Sequence, residues 1–199
     1  MTTVTVQWIV IAVVAGGLVW AVACYNRLVA LRNRIVNAFA QIDVQLKRRH
    51  DLIPNLVDVA RRYLTHEQAT LQAVIEARGQ AQGAAARARA QPTDAGAVGL
   101  LAVAEQVLTE HVGRLLAIAE AYPELKADAT LRQLSEQLTS TENHIGFARQ
   151  AYNDAVLDLN NKVQAFPDLL VAHLTGFSLA QPLKSTATAA ERAVPRIDL

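Results

Sequence analysis

An uncharged stretch of 21 residues at positions 4–24 constrains the fold of this chain more than any other feature. It reads VTVQWIVIAVVAGGLVWAVAC, and a helix of that length spans the hydrocarbon core of a bilayer. Trp8 lies toward one end of it and Trp20 and Tyr25 toward the other, as amphipathic rings do at lipid–water interfaces. We therefore predict that residues 1–24 are a transmembrane anchor.

Two other interpretations of this stretch remain open. A cleaved signal peptide is also apolar, and the sequence VAC at 22–24 is similar to a lipidation site that ends in a cysteine. A signal peptide normally begins with a basic segment, however, and no Lys or Arg precedes Arg27. A retained anchor is the preferred interpretation, and lipidation of Cys24 is left open.

The basic residues beside the stretch predict its orientation in the membrane. Arg27, Arg32 and Arg34 follow it closely, whereas only the amino terminus is basic on the other side. Because basic residues favour the cytoplasmic side, we expect a single-pass membrane protein with its large domain in the cytoplasm.

Beyond the anchor, apolar residues recur at helical spacing. Alternating steps of three and four run from Leu28 to Ile42 and resume from Ile53 to Leu64, as on a helix packed in a bundle. The stretch 131–159 keeps heptad spacing for four repeats, which is typical of long helices in bundles or coiled coils. A third stripe has heptad spacing and is made of Leu101, Ala104, Leu108, His111, Leu115, Ile118 and Tyr122.

Composition agrees with an all-α domain over residues 25–167. Aromatic residues make up 5% of the chain, and only 9 of its 199 residues are glycine, so long helices are favoured over sheets. The single cysteine excludes an internal disulfide and a cysteine-based zinc site. The formal net charge of +1 gives no field that would attract nucleic acid.

A proline interrupts the charged segment DVQLKRRHDLIPNLVDVARRY at 43–63. Pro54 costs about 3 kcal/mol inside a straight helix but far less in a first turn. Either one long helix kinks there, or a helix ends near Asp51 and a new one begins. We favour the kink, because apolar spacing continues on both sides without loop residues.

The same segment carries a run of charged residues. Its oppositely charged pairs four residues apart are typical of a solvated helix face. Alternatively the run faces a partner, because Arg48, Arg49 and His50 cover much of one turn and at least one must approach another helix. Glu142 and Arg149 are the expected salt-bridge partners. Interspersed acidic residues and the absence of interleaved aromatics argue against nucleic-acid binding.

Asparagines repeat at heptad spacing on two predicted helices. Asn26 and Asn33 are seven apart on the first, and Asn153 and Asn160 on the last. Such asparagines can form side-chain hydrogen bonds across a helix contact and fix its register. The contact could lie within one bundle or between copies, and exposed polar surface is the alternative.

A short apolar segment, DLLVAHLTGF at 168–177, follows the last long helix. Its apolar residues surround too much of a helix to face a single seam, so we predict that it lies at the membrane surface. There Leu170, Leu174 and Phe177 would contact the base of the first helix or a neighbouring copy. A cap over the end of the same bundle is the alternative. Residues 178–199, rich in Ser, Thr, Ala and Pro, are predicted to be a disordered tail.

No constellation of residues predicts chemistry. His66 and Glu67 do not open an HExxH motif, since position 70 is Thr, and neither a glycine-rich phosphate loop nor a GxSxG elbow occurs. The five histidines have no ligand spacing, and His111 on its apolar stripe is interpreted as a core residue. We predict no catalytic, cofactor or metal site.

Three blocks of sequence resemble the LemA family: 25–67, which begins YNRLVALRNRI, AEAYPELKA at 119–127 and TENHIGFARQAYNDAV at 141–156. The ending FPDLLVAHLTGF at 166–177 resembles it too, while Phe39 and Ala40 depart from the family's usual Trp and Ser. The resemblance implies a membrane helix that carries an antiparallel four-helix bundle, at the bacterial inner membrane. It implies no established enzymatic activity.

Two functions follow from these expectations. The first is a non-enzymatic scaffold, contacting membrane lipid, that self-associates as a homo-oligomer or organises partners, with a role in membrane shaping. The second is an adaptor or regulator of another membrane protein, such as a protease or an envelope-stress component.

Overall fold

The computed structural model describes residues 2–183 and places most of them in helices. The helices are α1 (Thr2–Arg61), α2 (Gln68–Ala90), α3 (Ala95–Ala119), α4 (Pro123–Ala127), α5 (Ala129–Gln164) and α6 (Asp168–Leu174). No strand occurs among residues 2–183, so the all-α prediction is confirmed. Residues 184–199, most of the predicted tail, lie outside the described residues.

The first helix is continuous over 60 residues, a length of about 90 Å. It runs through Pro54, so the alternative of a new helix beginning near Asp51 is wrong. Proline has no N–H, which leaves the carbonyl of His50, four residues earlier, without its helical partner. The Arg78 Nε of α2 donates to that oxygen at 2.6 Å. A bond between helices thus replaces the one that the proline removes.

Aspartates begin two of the long helices. The Asp94 carboxylate accepts from the Ala97 N–H at 2.7 Å at the start of α3. At the start of α5, Asp128 accepts from the N–H groups of Thr130 and Leu131 at 2.7 and 3.1 Å. Each carboxylate satisfies N–H groups that have no partner within their own helix.

The helices bury two separate groups of apolar side chains. α1 packs mainly against α5, and α2 packs against α3 and α1. We call the group nearer the apolar end of α1 the proximal cluster and the other the distal cluster. The proximal cluster includes Cys24, Leu28, Ile35, Ile42, Leu46, Ala88, Leu101, Ile145, Tyr152, Leu159, Val171, Ala180 and Leu183. The distal cluster includes Ile53, Leu56, Leu64, Leu71, Val74, Leu108, Leu115, Leu125, Leu131 and Leu138.

The predicted seams hold for α5 and only in part for α3. The heptad positions of α5 are buried, apart from the partly buried Ala148. On α3 the buried stripe passes through Glu105, Val112 and Ala119 in place of Ala104, His111 and Ile118. The interpretation of His111 as a core residue is therefore wrong, since it is partly exposed. Glu105 can be buried because a basic residue faces it.

The apolar first part of α1 lies apart from both clusters. α1 is long and apolar enough to cross a membrane, by length and composition, and it is the one such helix among the described residues. The side chains from Val4 to Trp20 are widely exposed, with Trp8 at 67%, and burial begins around Cys24.

Candidate functional site

Charged side chains from three helices meet between the two apolar clusters. Both oxygens of Glu105 on α3 are bound by α1: the Arg49 Nη1 donates to Oε2 at 3.1 Å, and the His50 Nε2 lies 2.7 Å from Oε1. The Arg49 Nη2 lies 2.7 Å from the Thr109 hydroxyl and 3.2 Å from a Glu142 oxygen on α5. We call Arg49, His50, Glu105, Thr109 and Glu142 the charged cluster.

Three members of the charged cluster are shielded from solvent, whereas Glu142 reaches the surface with its side chain 42% exposed. Arg49, His50 and Glu105 are exposed by 4%, 3% and 7%, respectively. Along the chain it lies between Leu46 and Ile53 of α1 and between Leu138 and Ile145 of α5, so it separates the proximal cluster from the distal one. A buried ion pair whose donors and acceptors are satisfied specifies which helices meet at which height.

The predicted run of charges is therefore divided between interior and surface. Arg48 is exposed and forms no ion pair within residues 2–183, whereas Arg49 and His50 point inward. Of the two expected partners, Glu142 forms a salt bridge with Arg49. Arg149 instead lines a cavity of about 40 Å³ beside Glu142 and Leu183.

Two residues of this region escaped the sequence analysis. Glu105 was missed because the buried stripe of α3 was assigned through Ala104. A single acidic residue four positions after Leu101, within an apolar part of α3, was a usable signal. Arg78 was missed because a carbonyl freed by Pro54 has no signature in the sequence of α2. That carbonyl and its donor are brought together only by packing.

The asparagines of α5 bind backbone and not one another. Asn153 pairs with Leu183, its Nδ2 donating to the carbonyl at 3.0 Å and its Oδ1 accepting from the N–H at 2.8 Å. Asn160 pairs with Ala180 in the same manner, at 2.8 and 2.9 Å. Within residues 2–183 they form no bond to an asparagine of another helix, and their predicted role in a contact between copies stays a prediction. They hold residues 178–183, the first part of the predicted tail, against α5.

Tyr152 lies at the same place and is fully buried. Its hydroxyl is within hydrogen-bonding distance of the Pro92 and Gln181 carbonyl oxygens, at 3.0 and 3.3 Å. Burial raises the pKa of Tyr152 to about 12, so the hydroxyl keeps its proton for donation. Its ring packs edge-on against Phe39, with ring centroids 6.1 Å apart.

The asparagines of α1 differ from those of α5. Asn26 and Asn33 are exposed, and neither forms a hydrogen bond within the described part of the chain. Asn33 lines an open cavity of about 380 Å³ together with Tyr25 and Arg32. Their predicted heptad contact is not formed among residues 2–183.

The segment 168–177 packs against α1 where the apolar stretch ends. The Cys24 thiol donates to the Asp168 Oδ1 at 2.8 Å, and Lys162 pairs with the other oxygen. The hydrogen bond from the Cys24 thiol and the Lys162 ammonium together lower the pKa of Asp168. The Cys24 thiol is thus buried and bonded.

Phe177 completes this contact by packing edge-on against Tyr25, with ring centroids 6.0 Å apart. Val171 and Ala172 are buried in the proximal cluster. Leu170 and Leu174, in contrast, face outward with exposures of 55% and 84%. The segment therefore covers the end of the proximal cluster with one face and leaves the other face apolar and open.

These features define a class: an all-helical domain on a helix whose first part is long and apolar enough to cross a membrane. The LemA family model matches residues 38–199, and the chain belongs to the LemA family. The membership predicted from the sequence blocks is confirmed.

Two curated relatives are similar over most of the chain. They are magnetosome protein MamQ 1 and magnetosome protein MamQ 2 of Paramagnetospirillum magneticum, each 24% identical over 172 residues. The matches cover 79% of this chain and 63% of each relative, so the chain spans less than two thirds of their length.

Proposed function

We propose that this protein is a non-enzymatic, membrane-anchored helical scaffold that self-associates at the membrane. In this proposal residues 4–24 cross the bilayer once, and α1, α2, α3 and α5 form an antiparallel four-helix bundle at its cytoplasmic face. Copies held together there organise or shape the membrane.

The observation that carries the proposal is the contrast along α1. Its first part exposes a continuous apolar surface, and burying such surface contributes about 25 cal/mol per Å². An apolar surface that extends along so many turns of a helix is unfavourable in water, and the hydrocarbon core of a bilayer can bury it over this length. The same helix then continues without a break into the buried domain.

Side-chain contacts at different heights along α1 support the antiparallel arrangement. Arg89, near the end of α2, pairs with Asp43, whereas Arg78, earlier on α2, reaches His50, later on α1.

On the other side of α1, Arg34 pairs with Asp158. Glu142, which precedes Asp158 on α5, pairs with Arg49, which follows Arg34 on α1. These pairings favour an arrangement in which both neighbours run opposite to α1.

The proposal of membrane shaping rests on the relatives as well. Both curated relatives are named as magnetosome proteins, and the match to each covers most of this chain. The association with magnetosomes that their names state is carried over to this chain only as part of the proposal.

Topology is tested by labelling one introduced cysteine in intact cells, with Cys24→Ser as the background. Ser185→Cys should resist a membrane-impermeant thiol reagent, because the domain is proposed to be cytoplasmic. Thr3→Cys, at the opposite end of the span, is the matched control and should be labelled. Labelling of Ser185→Cys in unbroken cells would contradict the proposed orientation.

Self-association is tested on the full chain extracted in mild detergent. Native mass measurement should show a homo-oligomer that persists on dilution. A monomer that captures a different membrane protein would instead favour the adaptor function and contradict the scaffold.

A further inference from the structure

The extended segment 178–183 is bound along α5 mainly through its backbone. Four hydrogen bonds of 2.8–3.0 Å hold it, two from each asparagine side chain. Each side-chain amide pairs with both the N–H and the carbonyl of a single residue, so it satisfies that residue's backbone completely. This recognition is the same for any side chain at those positions.

The spacing of the two asparagines matches an extended chain. Asn153 and Asn160 are seven residues apart on a helix, which is about 10.5 Å. Ala180 and Leu183 are three residues apart on an extended segment, which is about 10 Å. Two asparagines at heptad spacing can therefore bind the backbone of residues i and i+3 of an extended segment.

Side chains add a limited selectivity. Ala180 and Leu183 are 5% and 6% exposed and belong to the proximal cluster, with Leu183 beside Leu101 and Ile145. Leu179 and Gln181 point outward. The groove thus accepts a small residue followed three positions later by a leucine, and it has no charge requirement at the positions between them.

We propose that Asn153, Tyr152 and Asn160 line a binding groove for an extended peptide, and that its exchange partner is residues 178–183 of a second copy. The segment fills the groove of its own chain in the closed form and that of a neighbour in the exchanged form. The inference rests on the proposed self-association and gives it a specific contact.

Three observations favour a second copy as the occupant. The segment's fit to the groove is already present within one chain, and an identical segment from another copy fits equally well. Gly176, with φ of +74°, provides a turn just before the segment. Residues 175–178 span at most about 14 Å when extended, so exchanging copies must lie with their α6 helices close together.

Closeness of the two α6 helices would also cover the exposed apolar face described above. Leu170 and Leu174 have no cover within residues 2–183, and they lie on the element that leads into the exchanged segment. Two copies anchored in one membrane present their domains at the same height, which favours a symmetric exchange.

The test uses two full-length variants with different affinity tags, co-expressed and extracted in mild detergent. Ala180→Asp with Leu183→Asp gives a copy with an intact groove but a segment that cannot enter it. Asn153→Asp with Asn160→Asp gives a copy with an intact segment but carboxylates that cannot donate to its carbonyls. Asn143→Asp with Asn161→Asp is the matched control, since it makes the same change at two exposed positions of the same helix.

We expect differently tagged wild-type copies, and likewise control copies, to co-purify. Each groove or segment variant should lose co-purification with itself by about tenfold or more, because the groove variant loses two donated hydrogen bonds and the segment variant would bury two carboxylates. The two variants together should co-purify, because one supplies the groove and the other the segment. Circular dichroism of each variant verifies that it has kept its helices.

A second measurement avoids folding defects altogether. A synthetic peptide of residues 176–183, added in excess to the wild-type oligomer, should convert it to monomer, and the same peptide with Asp at positions 180 and 183 should not. If each variant co-purifies with itself as well as the wild type does, exchange is wrong while self-association stands. If wild-type copies do not co-purify at all, the proposed scaffold function itself is wrong.

Discussion

The proximal and distal clusters reach a similar degree of burial by different routes. The distal cluster is assembled from segments joined by short connections, from the end of α1 through α2 and α3 to the start of α5. The proximal cluster needs both ends of the described chain, from Cys24 on α1 to Leu183. The distal half therefore closes by local connections, whereas the proximal half closes only when the chain returns to α1.

The boundary between the two clusters is ionic. Arg49, His50 and Glu105 interrupt the apolar core at one height, and removal of Glu105 would leave His50 without its partner and Arg49 with only Thr109 and Glu142. α1 and α5 nevertheless pass through both halves without a break. We expect these two helices to couple the halves into one cooperative unit.

The largest effect is expected from a carboxylate placed in either cluster. Ile145 in the proximal cluster and Leu138 in the distal one are each 7% exposed on the same helix. Replacing either with Asp should cost several kcal/mol of a total free energy of unfolding of roughly 5–15 kcal/mol. Thermal melts followed by circular dichroism should show a single, strongly lowered transition for both.

Ser140→Asp, at an exposed position between them, is the control and should melt like the wild type. Hydrogen exchange sharpens the comparison of the two halves. If Leu138→Asp left the amides of the proximal cluster protected, the halves would be independent and the expected coupling through α1 and α5 would be wrong.

The next effect concerns the boundary itself. Glu105→Ala should cost about 3–5 kcal/mol, because His50 would lose its carboxylate partner and Arg49 would lose the buried one of its two. Replacing all three, by Arg49→Met, His50→Leu and Glu105→Leu, should cost less, since those buried charges are then gone. Chemical denaturation measures both variants.

Glu110→Ala, at an exposed position of the same helix, is the matched control for this comparison. A triple variant no more stable than Glu105→Ala would show that the cost arises from packing and not from unpaired charge.

A smaller, coupled effect is expected at the proline. Arg78→Met removes the donor to the His50 carbonyl and should cost about 1–3 kcal/mol. Pro54→Ala restores the helical N–H to that same oxygen, so it should stabilise the Arg78→Met protein more than the wild type. A double-mutant cycle in denaturant gives the coupling, and strictly additive effects would contradict the replacement of one bond by the other.

The smallest effect is a dependence on pH at the start of α5. The N–H of Leu131, followed by the Tyr63 hydroxyl and the N–H of Thr130, lowers the pKa of Asp128 below its ordinary value of 3.8. The stabilisation by the ionised cap is therefore complete above pH 3.8 and is lost as the pH falls through the lowered pKa. Melting temperatures measured from pH 6 to pH 2 should fall less for Asp128→Asn, which keeps a capping oxygen without the charge.

The comparison of the clusters also explains what could be predicted from the sequence. The buried stripe of α5 was predictable because its apolar residues repeat at one spacing over several turns. The stripe of α3 was only partly predictable, because burial of Glu105 depends on Arg49 and His50, which lie more than 50 residues away. Local periodicity contains no information about such a distant partner.

The asparagines illustrate the same limit at a candidate site. Their heptad spacing marked Asn153 and Asn160 as unusual, but the same spacing occurs at Asn26 and Asn33, which bind nothing within the described chain. The two pairs differ because residues 178–183 return to α5 and bind Asn153 and Asn160. Spacing thus identified residues able to form a site, and only the course of the chain distinguishes the pair that does.

α1 continues without a loop from its exposed apolar part into its buried part, and this continuity has a mechanical consequence. Each residue of a helix adds a rise of 1.5 Å and a turn of about 100°. With no loop between the exposed apolar stretch and the buried domain, a membrane span at residues 4–24, as proposed above, would fix the height of every surface on the domain above the bilayer. It would also fix the direction of the groove and of the exposed face of α6 relative to the apolar stretch, and one residue inserted near Arg27 would turn both by about 100° relative to that stretch.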